Sequence, residues 1–181
     1  PLPVDARIVY HMGMQPICSA AVIGSGIMGS QIAAHLASCG ISVLLLDIPS
    51  EGSNRNAIAD RNKDALRKIK PSPFYSAEAI HLITTGNTVD DLEAAGQTDW
   101  ILEAIVEQTA PKQELFGKLQ QVMGPDSILS TNTSGIPLKL LGEHLNPAVQ
   151  ERFIGTHFFN PPRYLRLVEV IRGPHTSQET V

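Results

Sequence analysis

The segment that decides the fold is residues 20–29, which read AAVIGSGIMG. A short apolar run, Ala20 to Ile23, is typical of a buried strand, and it ends in the glycine pattern G-x-G-x-x-G. Apolar residues then recur at helical spacing from Ile27 to Ser38. A second apolar run, residues 41–46, closes at Asp47. The order of strand, glycine turn, helix and strand predicts a parallel β-α-β unit.

The glycine turn has the spacing of a dinucleotide-binding loop. Gly24 permits the tight turn, Gly26 lets a pyrophosphate approach the backbone, and Gly29 lets the helix pack close to the sheet. The helix N-terminus, which includes Met28, offers free N–H groups to the phosphates. Asp47 is placed to accept hydrogen bonds from the adenosine ribose, and its charge would repel a 2′-phosphate. The sequence therefore predicts NAD rather than NADP, against the simpler interpretation of a glycine turn followed by a helix-capping aspartate.

The rest of the chain continues to alternate strands with helices. Apolar runs predict further strands at residues 83–85, 100–105, 127–130, 153–158 and 165–171. Helical patterns are found at residues 55–70, 78–82, 89–95, 108–123 and 137–145. This alternation predicts an α/β fold of the Rossmann type, with a doubly wound, mostly parallel sheet and added strands at the C-terminal end.

The composition fits one domain of ordinary size. The chain has 181 residues, of which 43% are hydrophobic and 18% charged, so it can bury a core. Its net charge of −4 gives no reason to expect a nucleic-acid partner. No apolar run reaches the roughly 18 residues of a membrane span. Residues 1–13 lack periodicity and are interpreted as a leader of cloning origin or a disordered segment, which leaves residues 14–181 as the domain.

The two cysteines, Cys18 and Cys39, form neither a CxxC pair nor a disulfide framework. We interpret them as packed thiols in a reducing compartment, and a cytoplasmic location is expected.

The candidate chemistry lies near the C-terminus, in GTHFFNP (residues 155–161) and LVEVI (residues 167–171). His157 ends an apolar strand, where ligands collect in open α/β sheets. Glu169 interrupts an apolar run, and a buried carboxylate needs a partner. If this carboxylate bonds one ring nitrogen of His157, the other nitrogen can accept a proton. We therefore predict a buried general-base pair; the alternatives are a core histidine bonded to a carbonyl and a solvent-facing glutamate on an edge strand.

The other five histidines are interpreted as surface residues: His11, His35, His81, His144 and His175. None pairs at the spacing of a zinc-binding helix, so no metal site is predicted.

A polar segment, STNTSG at residues 130–135, directly follows a predicted strand. Ser134 could hydrogen-bond a reacting oxygen there, although the segment is equally typical of a Ser/Thr-capped turn. Glu103 and Glu107 flank the end of the neighbouring strand, and Lys112 begins the next helix. Glu107 and Lys112 are either cofactor contacts or solvated surface residues.

Together these motifs resemble the L-3-hydroxyacyl-CoA dehydrogenases. The resemblance covers residues 16–181 and rests on GSGIMG at 24–29, EAIVE at 103–107, NTS at 132–134, HFFNP at 157–161 and LVEVI at 167–171. It implies NAD-dependent oxidation of an L-3-hydroxyacyl-CoA to a 3-ketoacyl-CoA in fatty-acid β-oxidation. It also implies roles for single residues: His157 and Glu169 as the catalytic pair, Ser134 as a contact of substrate and cofactor, Glu107, Lys112 and Asn160 as NAD contacts, and Asp47 as the ribose-binding acid.

The sequence departs from that family in two ways. The family continues into a helical domain that forms a homodimer and covers the acyl site, so we expect a chain ending at Val181 to bind NADH but to be nearly inactive alone. The coenzyme A contacts are also altered, with Ala65 at the expected serine. Lys63 and its basic neighbours on that helix either meet coenzyme A phosphates or form a solvated face. This region looks more like multifunctional β-oxidation proteins, in which a hydratase domain is fused.

Two other functions remain open on sequence grounds. One is a dehydrogenase of a free hydroxy acid, such as a gulonate-type or 3-hydroxybutyryl-specific relative. The other is a catalytically incompetent NAD-binding module. A third class, the β-hydroxyacid dehydrogenases, shares the glycine turn but uses a lysine base, and His157 argues against it.

Overall fold

The computed structural model describes residues 16–181. The predicted leader and His11 lie outside the described residues. The strands are β1 (Ser19–Ile23), β2 (Ser42–Asp47), β3 (Ile83–Asn87), β4 (Trp100–Glu103), β5 (Ile128–Thr131), β6 (Phe153–Phe158) and β7 (Val168–Arg172). The helices are α1 (Ile27–Ser38), α2 (Ala57–Ala65), α3 (Leu92–Gly96), α4 (Thr109–Leu119), α5 (Leu138–Gly142) and α6 (Pro147–Gln150). Two 3-10 turns cover Leu66–Lys68 and Ala77–Leu82.

The strands form one seven-stranded sheet in the order β3-β2-β1-β4-β5-β6-β7. Every pair from β3 to β6 is parallel, and β7 pairs antiparallel with β6. The chain order reverses between β1 and β4, which is where ligands bind in doubly wound sheets. The Rossmann-type fold predicted from the sequence is confirmed.

Successive residues of β1 enter two separate cores. Ala20 and Val22 belong to a cluster that includes Ile32 of α1. Ala21 and Ile23 point the other way, into a cluster that includes Phe116 of α4. Because strand side chains alternate between faces, helices cover both sides of the sheet. This double cover explains why the central strands read as continuous apolar runs.

Two glycines of the turn between β1 and α1, Gly24 and Gly29, have no room for a side chain. Gly24 has φ +101°, a conformation that glycine adopts most easily, and its N–H donates to the carbonyl of Leu46 at 2.8 Å. A Cβ at Gly24 would lie 2.5 Å from the carbonyl oxygen of Ala104. A Cβ at Gly29 would lie 1.8 Å from the carbonyl oxygen of Gly24. The helix therefore packs against the turn itself, closer than any other residue permits.

Most predicted elements are present, with differences at their ends. The bounds of α1 and β6 agree with the sequence patterns. The helix predicted at residues 55–70 is α2 followed by the first 3-10 turn, and β7 begins later than predicted, at Val168. The short helix α6 was not predicted, although Pro147 in its first turn and the capping side chain of Asn146, which accepts from Val149 N–H, are typical start signals.

Three burial predictions are wrong. Cys18 and Cys39 are exposed thiols, not packed ones. Glu169 is not buried, since β7 is an edge strand and every one of its residues is exposed. His35 is half-buried rather than exposed, and the rings of Tyr75 and Phe158 lie 6.1 and 6.4 Å from its ring. Burial lowers the pKa of His35. Within residues 16–181, no helix has both the length and the apolar character that crossing a membrane requires.

Two glycine-to-alanine changes should have opposite effects on stability. Gly29→Ala is expected to lower the free energy of unfolding by about 1–3 kcal/mol, because the new methyl group overlaps the Gly24 carbonyl. Gly117→Ala, inside α4 with nothing within 4 Å of the added Cβ, should raise it by about 0.5–1 kcal/mol. Urea unfolding of both variants measures the difference. Equal effects would contradict the close packing of α1 on its turn.

Candidate active site

The centre of the site is a cross-strand pair. The antiparallel register of β6 and β7 sets His157 directly opposite Glu169. Nδ1 of His157 lies 2.8 Å from Oε2 of Glu169. The carboxylate can only accept, so it favours the tautomer with a proton on Nδ1, and Nε2 keeps a lone pair. The side chain of His157 is 19% exposed and that of Glu169 48%, so water reaches the pair.

The free nitrogen of the imidazole faces a serine from the neighbouring strand. Ser134, in the loop after β5, has its Oγ 3.2 Å from Nε2 of His157. Asn132, in the same loop, accepts the Phe158 N–H with its side-chain oxygen at 2.8 Å. It therefore ties the loop to the end of the strand that carries the histidine. An oxygen bound beside this contact, within reach of both atoms, would meet both a hydroxyl and a proton acceptor.

Glu107 anchors the loop that follows β5, residues 132–135, which we call the serine loop. One carboxylate oxygen accepts from Thr133 Oγ1 at 2.6 Å, from the Ser134 N–H at 2.9 Å and from the Gly135 N–H at 3.2 Å. Burial opposes ionisation, but the hydrogen bonds and the charge of Lys112 outweigh it and lower the pKa of Glu107. This carboxylate therefore stabilises the fold above its ordinary pKa, and the contribution is lost as pH falls through the lowered value.

Beneath Glu107 lies a buried ion pair. Nζ of Lys112 is 2.5 Å from Glu103 Oε1 and 3.3 Å from Glu107 Oε2, and the side chains of Lys112 and Glu103 are 1% and 0% exposed. The other oxygen of Glu103 accepts from Thr131 Oγ1 at 2.5 Å. Lys112 is thus not a solvated surface residue. Its direct contact with a cofactor stays a prediction.

The glycine turn forms the second part of the site, at the same carboxyl edge of the sheet. Gly26 caps α1 without a side chain, so the first N–H groups of the helix have no capping partner. Nothing lies within 4 Å of a Cβ built at Gly26. Free donors beside open space fit a phosphate group. Asp47 lies next to this turn, at the end of β2.

The structure thus brings the predicted residues into two groups. The first is His157, Glu169, Ser134, Glu107 and Lys112; the second is Gly24, Gly26, Gly29 and Asp47. Met28 packs on the core beside the second group, and Asn160 is exposed just beyond β6.

The sequence reasoning missed two polar residues of the second group. Ser25 occupies a variable position of the glycine pattern and has no predicted role, yet it is 0% exposed and donates to Asp47. Asn62 of α2 donates to Ser25 Oγ at 2.8 Å. A hydroxyl inside the glycine pattern was the only signal for this contact in the sequence.

Comparison with known proteins places these motifs in a family. The family model described as 3-hydroxyacyl-CoA dehydrogenase, NAD binding domain, matches residues 19–181. A probable 3-hydroxyacyl-CoA dehydrogenase of Deinococcus radiodurans is 45% identical over 166 residues, which cover 91% of this chain and 48% of the relative. A putative fatty acid oxidation complex trifunctional enzyme of Rickettsia felis is 44% identical over 151 residues, covering 83% of this chain and 21% of the relative.

Solved structures agree with the sequence relatives. The crystal structure of 3-hydroxybutyryl-CoA dehydrogenase from Escherichia coli superposes with a TM-score of 0.76 at 32% identity, over 92% of this chain and 34% of the other. The chain therefore spans about half the length of the Deinococcus relative and about a fifth of the Rickettsia one. NAD is the cofactor of the matched domain, and the uncapped helix N-terminus with its open space fits it.

Removing the buried ammonium group should destabilise the protein far more than removing an exposed one. Lys112→Met leaves Glu103 buried without its partner and is expected to lower the free energy of unfolding by about 3–5 kcal/mol. Lys118→Met, in the same helix, breaks only an exposed pair with Glu114 and should change it by less than about 0.5 kcal/mol. Chemical unfolding compares the two. Similar losses would contradict the central role of the buried pair.

Proposed function

Because the chain belongs to the 3-hydroxyacyl-CoA dehydrogenase family as its NAD-binding domain, we propose that it serves the oxidation of L-3-hydroxyacyl-CoA to 3-ketoacyl-CoA in fatty-acid β-oxidation. The observation that carries the proposal is the line of contacts from Ser134 through His157 to Glu169. A hydroxyl, an imidazole and a carboxylate in this order are the parts that removal of a proton from an alcohol needs.

The proton leaves the substrate hydroxyl through His157. Nε2 accepts it, while Glu169 keeps the other nitrogen protonated and stabilises the imidazolium that forms. Ser134 donates a hydrogen bond to the same oxygen and holds it against the ring. A bound NAD would supply the hydride acceptor for the carbon that carries this oxygen, and the C–O single bond would become a carbonyl.

The glycine turn and Asp47 are proposed to bind the cofactor. The first N–H groups of α1 would hold the pyrophosphate, and Asp47 the adenosine ribose. Arg55, the nearest candidate for a 2′-phosphate, is paired with Asp90 at 2.6 and 3.0 Å. A carboxylate at the ribose and an arginine already paired both favour NAD over NADP. We assign Glu107, Lys112, Ser134 and Asn160 to the nicotinamide side of the site.

The substrate is proposed to be an acyl-CoA, with its coenzyme A near the basic end of α2. Lys63 donates to the carbonyl of Ile83 and is turned toward the sheet. Arg67 and Lys68, in the exposed 3-10 turn, are therefore better placed for phosphates.

We further propose that a region outside the present sequence covers β7, completes the acyl site and forms the dimer. A fused hydratase is proposed on the Rickettsia relative's description as a trifunctional enzyme.

Two exposed free thiols, Cys18 and Cys39, fit a reducing compartment such as the cytoplasm.

A matched pair of substrates tests the reaction. With the whole protein and NADH, kcat/KM for acetoacetyl-CoA should exceed that for free acetoacetate by at least about 100-fold, because binding energy from the remote coenzyme A is used at the reacting carbon. Both substrates carry the same reactive keto group, so a difference in kcat/KM reports the contribution of the coenzyme A part. Equal rates, or a preference for the free acid, would instead support a hydroxy-acid dehydrogenase. Binding of NADH without turnover of either substrate would support a non-catalytic module.

Substitution of the paired residues tests the proton path. His157→Gln should lower kcat about 10²- to 10⁴-fold in the whole protein, the range for loss of a general base. Glu169→Gln should have a smaller effect, since an amide oxygen can still accept from Nδ1 but brings no charge. NADH affinity should stay within a few-fold in both variants. His144→Gln changes an exposed histidine outside the motif, so it is the control and should leave kcat unchanged. Full activity of His157→Gln would remove the general-base assignment.

A further inference from the structure

Asp47 is held by hydrogen bonds on both of its oxygens. Oδ2 accepts from the Ser25 N–H at 2.7 Å and from the Ser25 hydroxyl at 2.5 Å. Oδ1 accepts from the Ile48 N–H at 2.8 Å. A carboxylate has about four acceptor positions, so Oδ2 is fully used and Oδ1 keeps one position free. The orientation of this acid is therefore set within the protein, before any ligand arrives.

The Ser25 hydroxyl is itself directed by a residue from another element. Nδ2 of Asn62, in α2, donates to Ser25 Oγ at 2.8 Å. Nδ2 is a donor only, so it occupies a lone pair of Ser25 and leaves the single hydroxyl proton to point at Asp47. Ser25 is 0% exposed, so water does not compete for this proton. The three side chains form a directed chain of donors, from Asn62 through Ser25 to Asp47.

We propose that Asn62 is a positioning residue that sets the preference of this protein for NAD over NADP. It acts through Ser25, by keeping the Asp47 carboxylate in one orientation at the ribose site. Without Asn62 the hydroxyl can turn, Oδ2 keeps only one donor, and the carboxylate can rotate away. NADH would then lose a partner, and the 2′-phosphate of NADPH would meet less repulsion. The role of Asn62 rests on the proposed function, in which Asp47 faces the adenosine ribose.

Asn62 also links α2 to the glycine turn, so a role in holding α2 in place has to be separated from the proposed role in orienting Asp47. Thr85 provides the matched control, because its hydroxyl donates to Asp60 of α2 at 2.5 Å and has no contact with Asp47. Thr85→Val removes one hydrogen bond between α2 and the sheet while keeping the side-chain shape. If Asn62 only anchors α2, Asn62→Leu and Thr85→Val should behave alike.

The test measures the dissociation constants of NADH and NADPH by titration calorimetry, with no turnover involved. Asn62→Leu should reduce the NADPH-to-NADH ratio of dissociation constants about five-fold, the size expected from one hydrogen bond. Ser25→Ala should reduce it similarly, and the double variant should show no further reduction, since both changes break the same chain. Thr85→Val should leave the ratio unchanged. If Asn62→Leu does not fold, as judged by circular dichroism, Asn62→Ala replaces it.

Two results would overturn the proposal. One is an unchanged ratio in Asn62→Leu, whatever its thermal stability. The other is full additivity of Asn62→Leu and Ser25→Ala. Asp47→Ala separates this failure from that of the cofactor assignment. If Asp47→Ala leaves NADH affinity unchanged, the ribose role of Asp47 is wrong; if it weakens NADH while Asn62→Leu has no effect on the ratio, only the role of Asn62 is wrong.

Discussion

The antiparallel pairing of β6 with β7 is the constraint on which the proposed chemistry depends. Residues directly opposite on such a pair share one face, so His157 and Glu169 meet without help from any loop. A slip of one residue would turn Glu169 to the other face of the sheet. The exposed pair itself contributes only about 0.2–1 kcal/mol to stability. Other contacts therefore hold the two strands: β6 is mostly buried in the core, and Thr176 Oγ1, just after β7, donates to the Phe153 carbonyl of β6 at 2.6 Å.

The buried charges under the serine loop have a different role. Glu103 and Lys112 are fully removed from water, and such a pair often adds little net stability compared with apolar residues. The pair does fix the positions of the two side chains, because each charge is the main group that compensates the buried charge of the other. Through Glu107 the same lysine is connected to the backbone N–H groups of Ser134 and Gly135. The position of the Ser134 hydroxyl is thus determined by charges beneath it as well as by its own contact with His157.

Sequence patterns predicted the parts of this molecule that local rules govern. The apolar runs, the helical spacing from Ile27 to Ser38 and the glycine turn were enough for the fold, because each is a property of neighbouring residues. Burial of single side chains was harder to predict. Glu169 lies in an apolar run, but an edge strand with nothing over it leaves that run exposed. Lys112 is a charged residue at a helix start, yet a partner from β4 draws it into the core.

Relations between distant elements were beyond the sequence reasoning for the same physical reason. Asn62 and Ser25 meet because α2 packs beside the glycine turn, and no spacing pattern along the chain predicts that contact. The prediction that His35 lies at the surface failed because its aromatic neighbours, Tyr75 and Phe158, come from two other segments of the chain. The pairing of His157 with Glu169 was the exception. A carboxylate inside an apolar run needs a polar partner, and this requirement was sufficient to predict the contact.

The two halves of the site differ in how far this chain completes them. Around Asp47 the hydrogen-bond donors belong to the protein itself and Ser25 is fully buried, so the proposed cofactor side is formed before a ligand binds. Around Glu169 the strand is open to water, and Val170 and Ile171 beside it are 52% and 41% exposed. Water weakens the electrostatic attraction between polar groups, so covering this strand would strengthen the His157–Glu169 contact. Cofactor binding is therefore proposed to be a property of this domain, and efficient proton transfer through His157 is proposed to need a cover over β7 from outside the present sequence.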